Sequence, residues 1–465
     1  MTGPSFTPEQ LQRVLADLQA QLRPDQLRQD EDTLANYGRD ESGHPAHPSD
    51  LVVFAESTQD VSLIARTCYA HGVPYTPVGA RSGKSGGSIP VHGGVSLSVE
   101  RMNRILELKA EDLTATVQPG VITGDLMRAA EEQNLFYPPD PNSWDWCTLG
   151  GNVAENAGGP RALKYGVTRD YVLGMEWVLP KGEVIRVGRR TIKGVAGYDL
   201  TGLFVGSEGT LGIATEITLQ LLPRPRFIKT ALCLFPDVLS AARGVTAILQ
   251  GGLLPRTLEL LDEQCVLAVD GKGYAFPQGT GAALVVEVDG GADEPLLEEL
   301  ASVASIAETH GAIETVLAGD ESQRERLWAA RRTLSVSLRS LERHKISEDI
   351  VVPRSQLARV VESLKLMGRE LGLRVATYGH AGDGNLHANI LWSSDEQRAR
   401  VDEAVVRMLE MTVAAGGTIT GEHGVGCAKR PFLPLEQAKE VLDVQRQLKA
   451  LFDPFGLCNP GKILP

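Results

Sequence analysis

A predicted β-hairpin towards the C-terminal end constrains the fold of this chain more than any other segment. Two largely apolar runs, 374–380 and 385–392, flank the four residues Ala-Gly-Asp-Gly at 381–384. Asp-Gly between two apolar runs is a strong signal for a tight turn that joins antiparallel strands. Because side chains alternate between the two faces of a strand, the pattern also predicts which polar residues share a face.

The predicted hairpin brings two histidines together. His387 shares a strand face with Asn389, and His380 shares a face with Tyr378, so the two imidazoles meet at the mouth of the hairpin. A single histidine in a loop is more often structural than a ligand. Here, however, four of the nine histidines lie at position 344 or within 380–423, and most of these sit in glycine-rich turns. This concentration favours a functional site.

The segment Gly-Glu-His-Gly-Val-Gly at 421–426 adds a carboxylate to the two imidazoles. Glu422 would complete a His/His/carboxylate set of metal ligands that leaves coordination positions open for a substrate. Its neighbour His423 would remain available as a general base.

Composition describes an ordinary globular protein of 465 residues, long enough for two or more domains. The net charge of −13 argues against a nucleic-acid surface. An anionic ligand would need local arginine or lysine residues.

The six cysteines form no Cys-x-x-Cys pair, which argues against a cysteine-ligated iron–sulfur or zinc site and fits a reducing compartment. The N-terminus lacks a signal-peptide pattern, and no apolar run is long enough to span a membrane. We therefore expect a cytoplasmic protein, with peripheral membrane contact left open.

Secondary-structure patterning predicts an α+β protein with a linker near its middle. A helix over 7–22 begins at Thr7, with Gln10 three residues on, and a second helix ends at Gly72. Pro223 and Pro225 mark a linker. Strands and helices alternate on both sides of the linker, and the pattern beyond it over 228–370 resembles a ferredoxin-like layer. Further elements are a helix over 327–340 followed by a strand over 345–353, a helix over 428–450, and a turn-rich tail at 452–465 whose apolar end indicates docking.

Three glycine-rich segments lie in the first half of the chain, at 77–90, 137–166 and 193–219. Successive backbone N–H groups in such segments can cradle a pyrophosphate. The first segment matches neither the dinucleotide-binding pattern nor the P-loop, and taken alone it also describes a flexible surface loop. Three such segments together indicate a large, extended ligand held against the backbone.

These residues carry a family resemblance. The three glycine-rich segments resemble the pyrophosphate loop and flavin-contacting strands of FAD-binding domains of the vanillyl-alcohol-oxidase/para-cresol-methylhydroxylase (PCMH) type. The segments HAGDGNLH and GEHGVG resemble the C-terminal half of the same flavoproteins. Together they are similar to the FAD-dependent D-2-hydroxy acid dehydrogenases, a group that includes the glycolate oxidase FAD subunit and D-lactate dehydrogenase, with D-2-hydroxyglutarate dehydrogenase more distant. The similarity runs from about residue 45 to the C-terminus.

The resemblance implies an α+β fold in which a two-part PCMH-type FAD-binding domain precedes a ferredoxin-like cap or substrate domain, and the C-terminal tail returns to the FAD domain. The expected divisions are a helical lead-in at 1–45, the FAD-binding domain at 46–224, the cap with the metal site at 225–420, and the returning segment at 421–465.

The same resemblance implies a set of FAD-contacting residues. The pyrophosphate is expected on Gly79, Arg81, Ser82, Gly83, Lys84, Ser85, Gly86 and Gly87. The flavin and ribityl chain are expected along Asp140, Gly150, Gly151, Asn152, Asn156, Gly158 and Gly159. Further contacts are expected from Glu208, Gly209, Ile213 and Asn459.

Covalent attachment of the flavin is not expected. Some members of the wider family bind FAD through a histidine in or near the pyrophosphate loop, and 77–87 contains none. Cys147 is a conceivable attachment point, but we interpret it as a buried structural thiol. Lys84 departs from the resembling enzymes, which usually carry an apolar residue at this position.

For the substrate site, the resemblance implies a divalent metal, Zn²⁺ or Mn²⁺, held by His380, His387 and Glu422. His423 would take the proton of the substrate hydroxyl while a hydride leaves C2 for the flavin N5. Arg331 and Lys345 would bind the substrate carboxylate, and Asn389 the hydroxyl. Each cation also has the simpler interpretation of a solvated charge.

The predicted function is FAD-dependent oxidation of a D-2-hydroxy acid, with D-lactate or glycolate expected, to the 2-oxo acid. Two alternatives remain open: an oxygen-using alcohol or lactone oxidase on the same fold, and a flavin electron-transfer subunit of a multi-subunit glycolate oxidase. The sequence does not fix the electron acceptor, for which the candidates are a quinone, a cytochrome, an electron-transfer flavoprotein and an iron–sulfur partner subunit, and it leaves open whether the chain forms a homodimer.

Overall fold

The structure is a computed structural model that describes residues 3–272 and 274–465. Its first element confirms the predicted N-terminal helix. The side chain of Thr7 accepts a hydrogen bond from the backbone N–H of Gln10, and Gln10 bonds back to the backbone of Thr7. This reciprocal capping box satisfies two N–H groups that have no partner within the helix.

The β-strands, in chain order, are β1 (Leu27–Arg28), β2 (Leu51–Phe54), β3 (Tyr75–Val78), β4 (Val95–Ser98), β5 (Ile105–Lys109), β6 (Thr114–Val117), β7 (Leu135–Phe136), β8 (Val172–Val178), β9 (Val184–Gly188), β10 (Ile213–Gln220), β11 (Leu222–Pro223), β12 (Phe227–Phe235), β13 (Thr257–Leu261), β14 (Ala282–Gly290), β15 (Glu314–Leu317), β16 (His344–Val351), β17 (Arg374–Gly379) and β18 (Asn385–Trp392).

The α-helices are α1 (Pro8–Gln19), α2 (Glu31–Asn36), α3 (Thr58–His71), α4 (Thr123–Glu131), α5 (Leu149–Glu155), α6 (Ala162–Tyr165), α7 (Thr168–Tyr171), α8 (Leu200–Phe204), α9 (Val238–Gln250), α10 (Glu263–Val269), α11 (Asp293–Thr309), α12 (Glu321–Ser337), α13 (Leu357–Leu371), α14 (Asp395–Ala414), α15 (Leu433–Glu436) and α16 (Lys439–Phe452). In the part of the chain that the structure describes, no helix is both long enough and apolar enough to cross a membrane.

The chain forms two compact units. Unit 1 comprises Met1–Ala157, Val167–Arg224 and Glu422–Pro465, and unit 2 comprises Gly158–Gly166 and Pro225–Gly421. The chain therefore leaves unit 1 twice, once for a nine-residue excursion and once for the whole of unit 2.

Unit 1 contains two principal sheets. One sheet has the order β1-β2-β4-β3, with β2, β4 and β3 parallel, and the other has the antiparallel order β5-β6-β10-β8-β9. Helix α3 begins after Ser57, whose side chain caps it, and ends at Gly72 in the left-handed conformation, as predicted. One face of α3 lies in the core against α1 and the first sheet.

Unit 2 is built on one antiparallel sheet with the order β15-β12-β14-β13-β17-β18-β16. Its first four strands and the helices α9 and α11 have the β-α-β-β-α-β connectivity of a ferredoxin-like fold. The predicted α+β class with a ferredoxin-like layer is confirmed. Strands β17, β18 and β16 extend the sheet beyond β13, so the predicted hairpin lies directly beside the ferredoxin-like layer.

The predicted hairpin is confirmed as β17 and β18. Tyr378 pairs with His387 and Ala376 with Asn389, and a turn over 381–384 joins the strands. Gly384 has φ +89°, and a Cβ at this position would collide with the carbonyl oxygen of Val352. Only glycine adopts that conformation readily and leaves room for the neighbouring backbone.

The single helix predicted over 428–450 is wrong. A one-turn helix α15 ends at Glu436, Gln437 is extended, and α16 begins only at Lys439. Pro431 and Pro434 occupy the first turns of two short helical segments. Proline has no N–H and clashes with the preceding turn, so it is tolerated at helix starts and not within one long helix.

Candidate active site

The two histidines of the hairpin lie together in unit 2. His380 follows the last residue of β17 and His387 lies within β18, and their ring centroids are 5.3 Å apart in an edge-to-face arrangement. Both side chains are buried, with exposed fractions of 5% and 7%. The Tyr378 ring packs beside His387 at 5.2 Å. The structure therefore brings together the two imidazoles that the strand pattern predicts.

A buried carboxylate that the sequence reasoning missed contacts His380. Leu260 of β13 pairs with Gly379 of β17, so Glu259 and His380 are the next residues along the two strands. The Oε1 atom of Glu259 lies 2.5 Å from Nδ1 of His380. The available signal was the glutamate itself, within the apolar strand Thr-Leu-Glu-Leu-Leu, because glutamate is almost never fully buried without a partner.

Arg331 binds the other oxygen of the same carboxylate. Its Nε donates to Oε2 of Glu259 at 2.6 Å, and its guanidinium lies 4.7 Å from the centre of the Tyr378 ring. Burial by itself raises the pKa of the Glu259 carboxyl, but the charges of Arg331 and His380 and their hydrogen bonds outweigh burial and lower the pKa to about 2. Glu259 is therefore a carboxylate at neutral pH.

Glu422 is the residue next to Gly421, at the point where the chain passes out of unit 2. His380 and His387 offer two nitrogen donors in unit 2, and Glu422, a third candidate ligand, follows Gly421 directly along the chain. Two imidazoles and a carboxylate are donor types that suit Zn²⁺ or Mn²⁺. The neighbouring His423 lies with Nε2 3.5 Å from the Glu422 carboxylate.

The backbone just before Glu422 is held by a second buried carboxylate. Asp349 of β16 accepts hydrogen bonds from the Gly421 N–H at 2.8 Å, the Thr420 hydroxyl at 3.1 Å and the Asn385 amide at 2.6 Å. Asp349 has no exposed surface. It therefore fixes the path of the chain as it approaches Glu422.

The remaining predicted substrate residues are placed as follows. Asn389 is fully buried, and its amide donates to the carbonyls of Ala376 and His387 while Oδ1 has no hydrogen-bond partner among the described residues. Lys345 is half-buried and donates to the carbonyl and hydroxyl of Ser335. Asn389 thus offers a buried acceptor beside His387, and Lys345 lies on the neighbouring strand β16.

The glycine-rich segments converge within unit 1. A Cβ at Gly79 would lie 2.5 Å from the hydroxyl of Thr148, the N-cap of α5, so the first two segments touch closely. The side chain of Asn459 donates to the carbonyls of Gly87 at 3.0 Å and Glu208 at 2.8 Å. The C-terminal tail therefore joins the first segment to the third.

Several buried polar atoms of the first segment have no hydrogen-bond partner in the part of the chain that the structure describes. They are the hydroxyls of Ser85 and Ser88 and Nη1 of Arg81, which has only an ion-pair contact with Glu100 at 3.6 Å. Arg81 also has φ +61°, a left-handed conformation that is rare outside glycine. Buried polar groups are almost always satisfied, so these donors fit a polar ligand such as a pyrophosphate. Lys84, in contrast, is exposed, so the charged side chain that replaces the usual apolar residue lies in solvent.

A buried cluster of charges lies beside this loop, and only one of its members was predicted. Glu208 accepts hydrogen bonds from the N–H groups of Val425 and Gly426, and burial raises its pKa to about 7. Burial and then the charge of Glu208 raise the pKa of Glu155 well above its ordinary value. Burial lowers the pKa of Lys462 to about 8. One indication of this cluster was present in the sequence, because Lys462 lies three residues after Asn459, which was predicted to contact FAD.

The remaining residues that were predicted to contact the flavin differ in burial and in hydrogen bonding. Asn152 donates to Thr123, and Ile213 packs in the hydrophobic core, so a cofactor contact at position 213 would use the backbone. Gly158 and Gly159 belong to the short excursion into unit 2. Burial raises the pKa of the Cys147 thiol. The remaining predicted positions are half-buried Asp140, Gly150 and Gly151, half-buried Ser82 and Gly83, buried Gly86 and Gly209, and Asn156, which is left-handed at the end of α5.

Comparison with known proteins agrees with this arrangement. A family profile described as "FAD binding domain" matches residues 49–188, and one described as "FAD linked oxidases, C-terminal domain" matches residues 224–463. The glycolate oxidase subunit GlcD of Bacillus subtilis (strain 168) is 43% identical over 417 residues, which cover 89% of this chain and 88% of that protein. The D-lactate dehydrogenase of Anaerostipes hadrus is 35% identical over 94% of this chain and 93% of its own length.

Among solved structures, p-cresol methylhydroxylase with substrate bound superposes with a TM-score of 0.82 at 18% identity, over 99% of this chain and 98% of that one. This similarity shows the fold. Fold and sites together define a flavoprotein oxidoreductase with a PCMH-type FAD-binding domain. The chain belongs to the family of FAD-linked oxidases, and FAD is its cofactor. The resemblance drawn from the glycine-rich segments is confirmed.

Proposed function

We propose that this enzyme oxidises a D-2-hydroxy acid, D-lactate or glycolate, to the 2-oxo acid. The observation that carries the proposal is the buried His380–His387 pair, a site with two nitrogen donors in a chain of the FAD-linked oxidase family. The relatives named glycolate oxidase subunit and D-lactate dehydrogenase support the same substrate class. FAD, when bound, would supply the two-electron acceptor for this oxidation.

The residues at the hairpin fit a divalent metal. His380, His387 and Glu422 would hold it, and Zn²⁺ and Mn²⁺ suit their nitrogen and oxygen donors. Such an ion supplies positive charge that favours the ionised form of a nearby hydroxyl. The three residues offer too few ligands to close the coordination shell, which leaves positions for a substrate.

Three further side chains would bind and orient the hydroxy acid. Arg331 has five N–H donors, of which Glu259 uses the Nε–H, so its other donors are suited to a carboxylate. Lys345 would add a second positive charge. The unpartnered Oδ1 of Asn389 is an acceptor for the substrate hydroxyl.

His423 would act as the general base. It is half-buried and lies beside Glu422, where an imidazole can accept the hydroxyl proton. Positioned acid–base catalysis of this kind contributes roughly 10²–10⁴ in rate.

The flavin would be held without a covalent bond, because the loop 77–87 has no histidine and Cys147 is a buried thiol. Electrons would then pass to a separate acceptor, a quinone, a cytochrome, an electron-transfer flavoprotein or an iron–sulfur subunit. The word "subunit" in the name of the 43% identical relative supports a partner protein. The six cysteines of this chain lack the paired spacing that an iron–sulfur cluster requires.

Replacement of a hairpin histidine tests the proposal. His380→Ala removes one donor, and we expect turnover of D-lactate and glycolate to fall by at least about 10²-fold, in line with loss of positioned catalysis, while the flavin content stays at the wild-type level. His344→Ala is the control, because His344 is exposed and stacks only on Trp392 among the described rings. Full activity of His380→Ala would refute the metal role of the hairpin.

A further inference from the structure

We propose that Glu259 is a positioning residue that fixes the ring of His380 so that Nε2 is the atom offered to the metal. The inference rests on the proposed function, because it assigns a role around the same histidine. It adds a residue from outside the hairpin, on the ferredoxin-like strand β13.

Each oxygen of Glu259 has its own partner. Oε1 lies 2.5 Å from Nδ1 of His380, and Oε2 accepts from Nε of Arg331 at 2.6 Å. The Glu259 side chain has no exposed surface. Because Oε2 already accepts from the Arg331 guanidinium, Oε1 is placed as the acceptor for an N–H at Nδ1 of the His380 imidazole.

This proton sets the tautomer of His380. With Nδ1 as the donor, the lone pair that can bind a metal lies on Nε2. A carboxylate behind a metal-binding histidine fixes the orientation of the ring and makes it a better donor, and the loss of such a partner typically weakens metal binding by about 10–100-fold.

The competing explanation is that Glu259 merely neutralises the buried Arg331. The chain contains a matched example one helical turn earlier on α12, where Trp328 donates its indole N–H to Glu287 of β14 at 2.9 Å. Glu287 is also buried and pairs with Arg256. Like Glu259, Glu287 lies on a strand of the unit 2 sheet and bonds to a residue of α12, but it contacts neither histidine of the hairpin in any described interaction. A variant of Glu287 therefore measures the effect of removing a buried charge without any effect on His380.

The first test compares Glu259→Gln with Glu287→Gln in the full-length flavoprotein. Each protein is freed of metal with its flavin still bound, and binding of Zn²⁺ and Mn²⁺ is measured by competition with a chelating dye. Flavin content and thermal midpoint are measured on the same samples. We expect Glu259→Gln to bind both ions about 10–100-fold more weakly than the wild type with unchanged flavin content, and Glu287→Gln to bind them like the wild type.

Equal metal affinity of Glu259→Gln and wild type would overturn the proposal, as would equal weakening in both variants. If the wild type binds neither ion, the positioning role and the metal part of the proposed function both fail. If the wild type binds the ions but oxidises no hydroxy acid, the proposed function fails alone.

A second measurement does not depend on the folding of any carboxylate variant. In wild-type protein labelled with ¹⁵N-histidine and freed of metal, the imidazole nitrogens of His380 are identified by their loss in His380→Gln. We expect the Nδ1–H tautomer. The Nε2–H tautomer would overturn the proposal.

Discussion

Two buried glutamates show how partners decide the state of a carboxyl group at the scale of single residues. Glu259 in unit 2 faces a guanidinium and an imidazole, and its pKa falls to about 2. Glu208 in unit 1 accepts hydrogen bonds from two backbone N–H groups at 2.7 Å, and burial outweighs these bonds and the charge of Lys462 and raises its pKa to about 7. The sequence placed Glu208 within a glycine-rich motif, so it was predicted. Glu259 was missed because its partners come from segments about 70 and 120 residues away.

The raised pKa of Glu208 predicts a pH dependence of stability. The folded protein binds the Glu208 proton more tightly than the unfolded chain does, so this contribution is complete below pH 4.5 and is lost as pH rises towards 7. We expect the thermal midpoint of the wild type to fall more between pH 5 and 7 than that of Glu208→Gln, measured by calorimetry. Parallel pH profiles of the two proteins would contradict the assignment.

At the scale of elements, local sequence signals predicted the β17–β18 hairpin, but they did not predict which more distant strand pairs with it. The Asp-Gly turn and the alternation of β17 and β18 specify which side chains share a face, and the structure matches both. The other neighbour of β17 in the sheet is β13, which lies more than 100 residues earlier in the chain. No local pattern encodes that pairing, because the contacts that select it form only when the sheet assembles.

The close packing around Gly384 in the hairpin turn predicts that a side chain at this position destabilises the protein. Gly384 and Gly279 have positive φ values of +89° and +94°, but only at Gly384 would a Cβ meet other atoms, the Val352 carbonyl among them. Both alanine variants carry the strain of a left-handed residue, which costs roughly 1 kcal/mol. We expect Gly384→Ala to lower the free energy of unfolding by at least about 1 kcal/mol more than Gly279→Ala, measured by urea titration. Equal losses would show that the turn tolerates a side chain.

At the scale of the whole molecule, three glycine-rich segments and two histidine motifs in a fixed order were enough to predict the family and the α+β class. The nine-residue excursion of the chain into unit 2 was not predicted. It is short, and its anchors are the bonds of Lys164 and Tyr165 to the buried Asp289, which lies over 120 residues further along. Contacts of this kind leave no periodic signal in the sequence.

The oxidation of a D-2-hydroxy acid is the central claim, and the flavin reports on it directly. The purified protein is titrated with D-lactate and with glycolate under anaerobic conditions while the visible absorption of the flavin is recorded, with L-lactate as the control. We predict that D-lactate or glycolate bleaches the oxidised flavin band and that L-lactate leaves it unchanged. A flavin that stays oxidised with both D-lactate and glycolate would contradict the account.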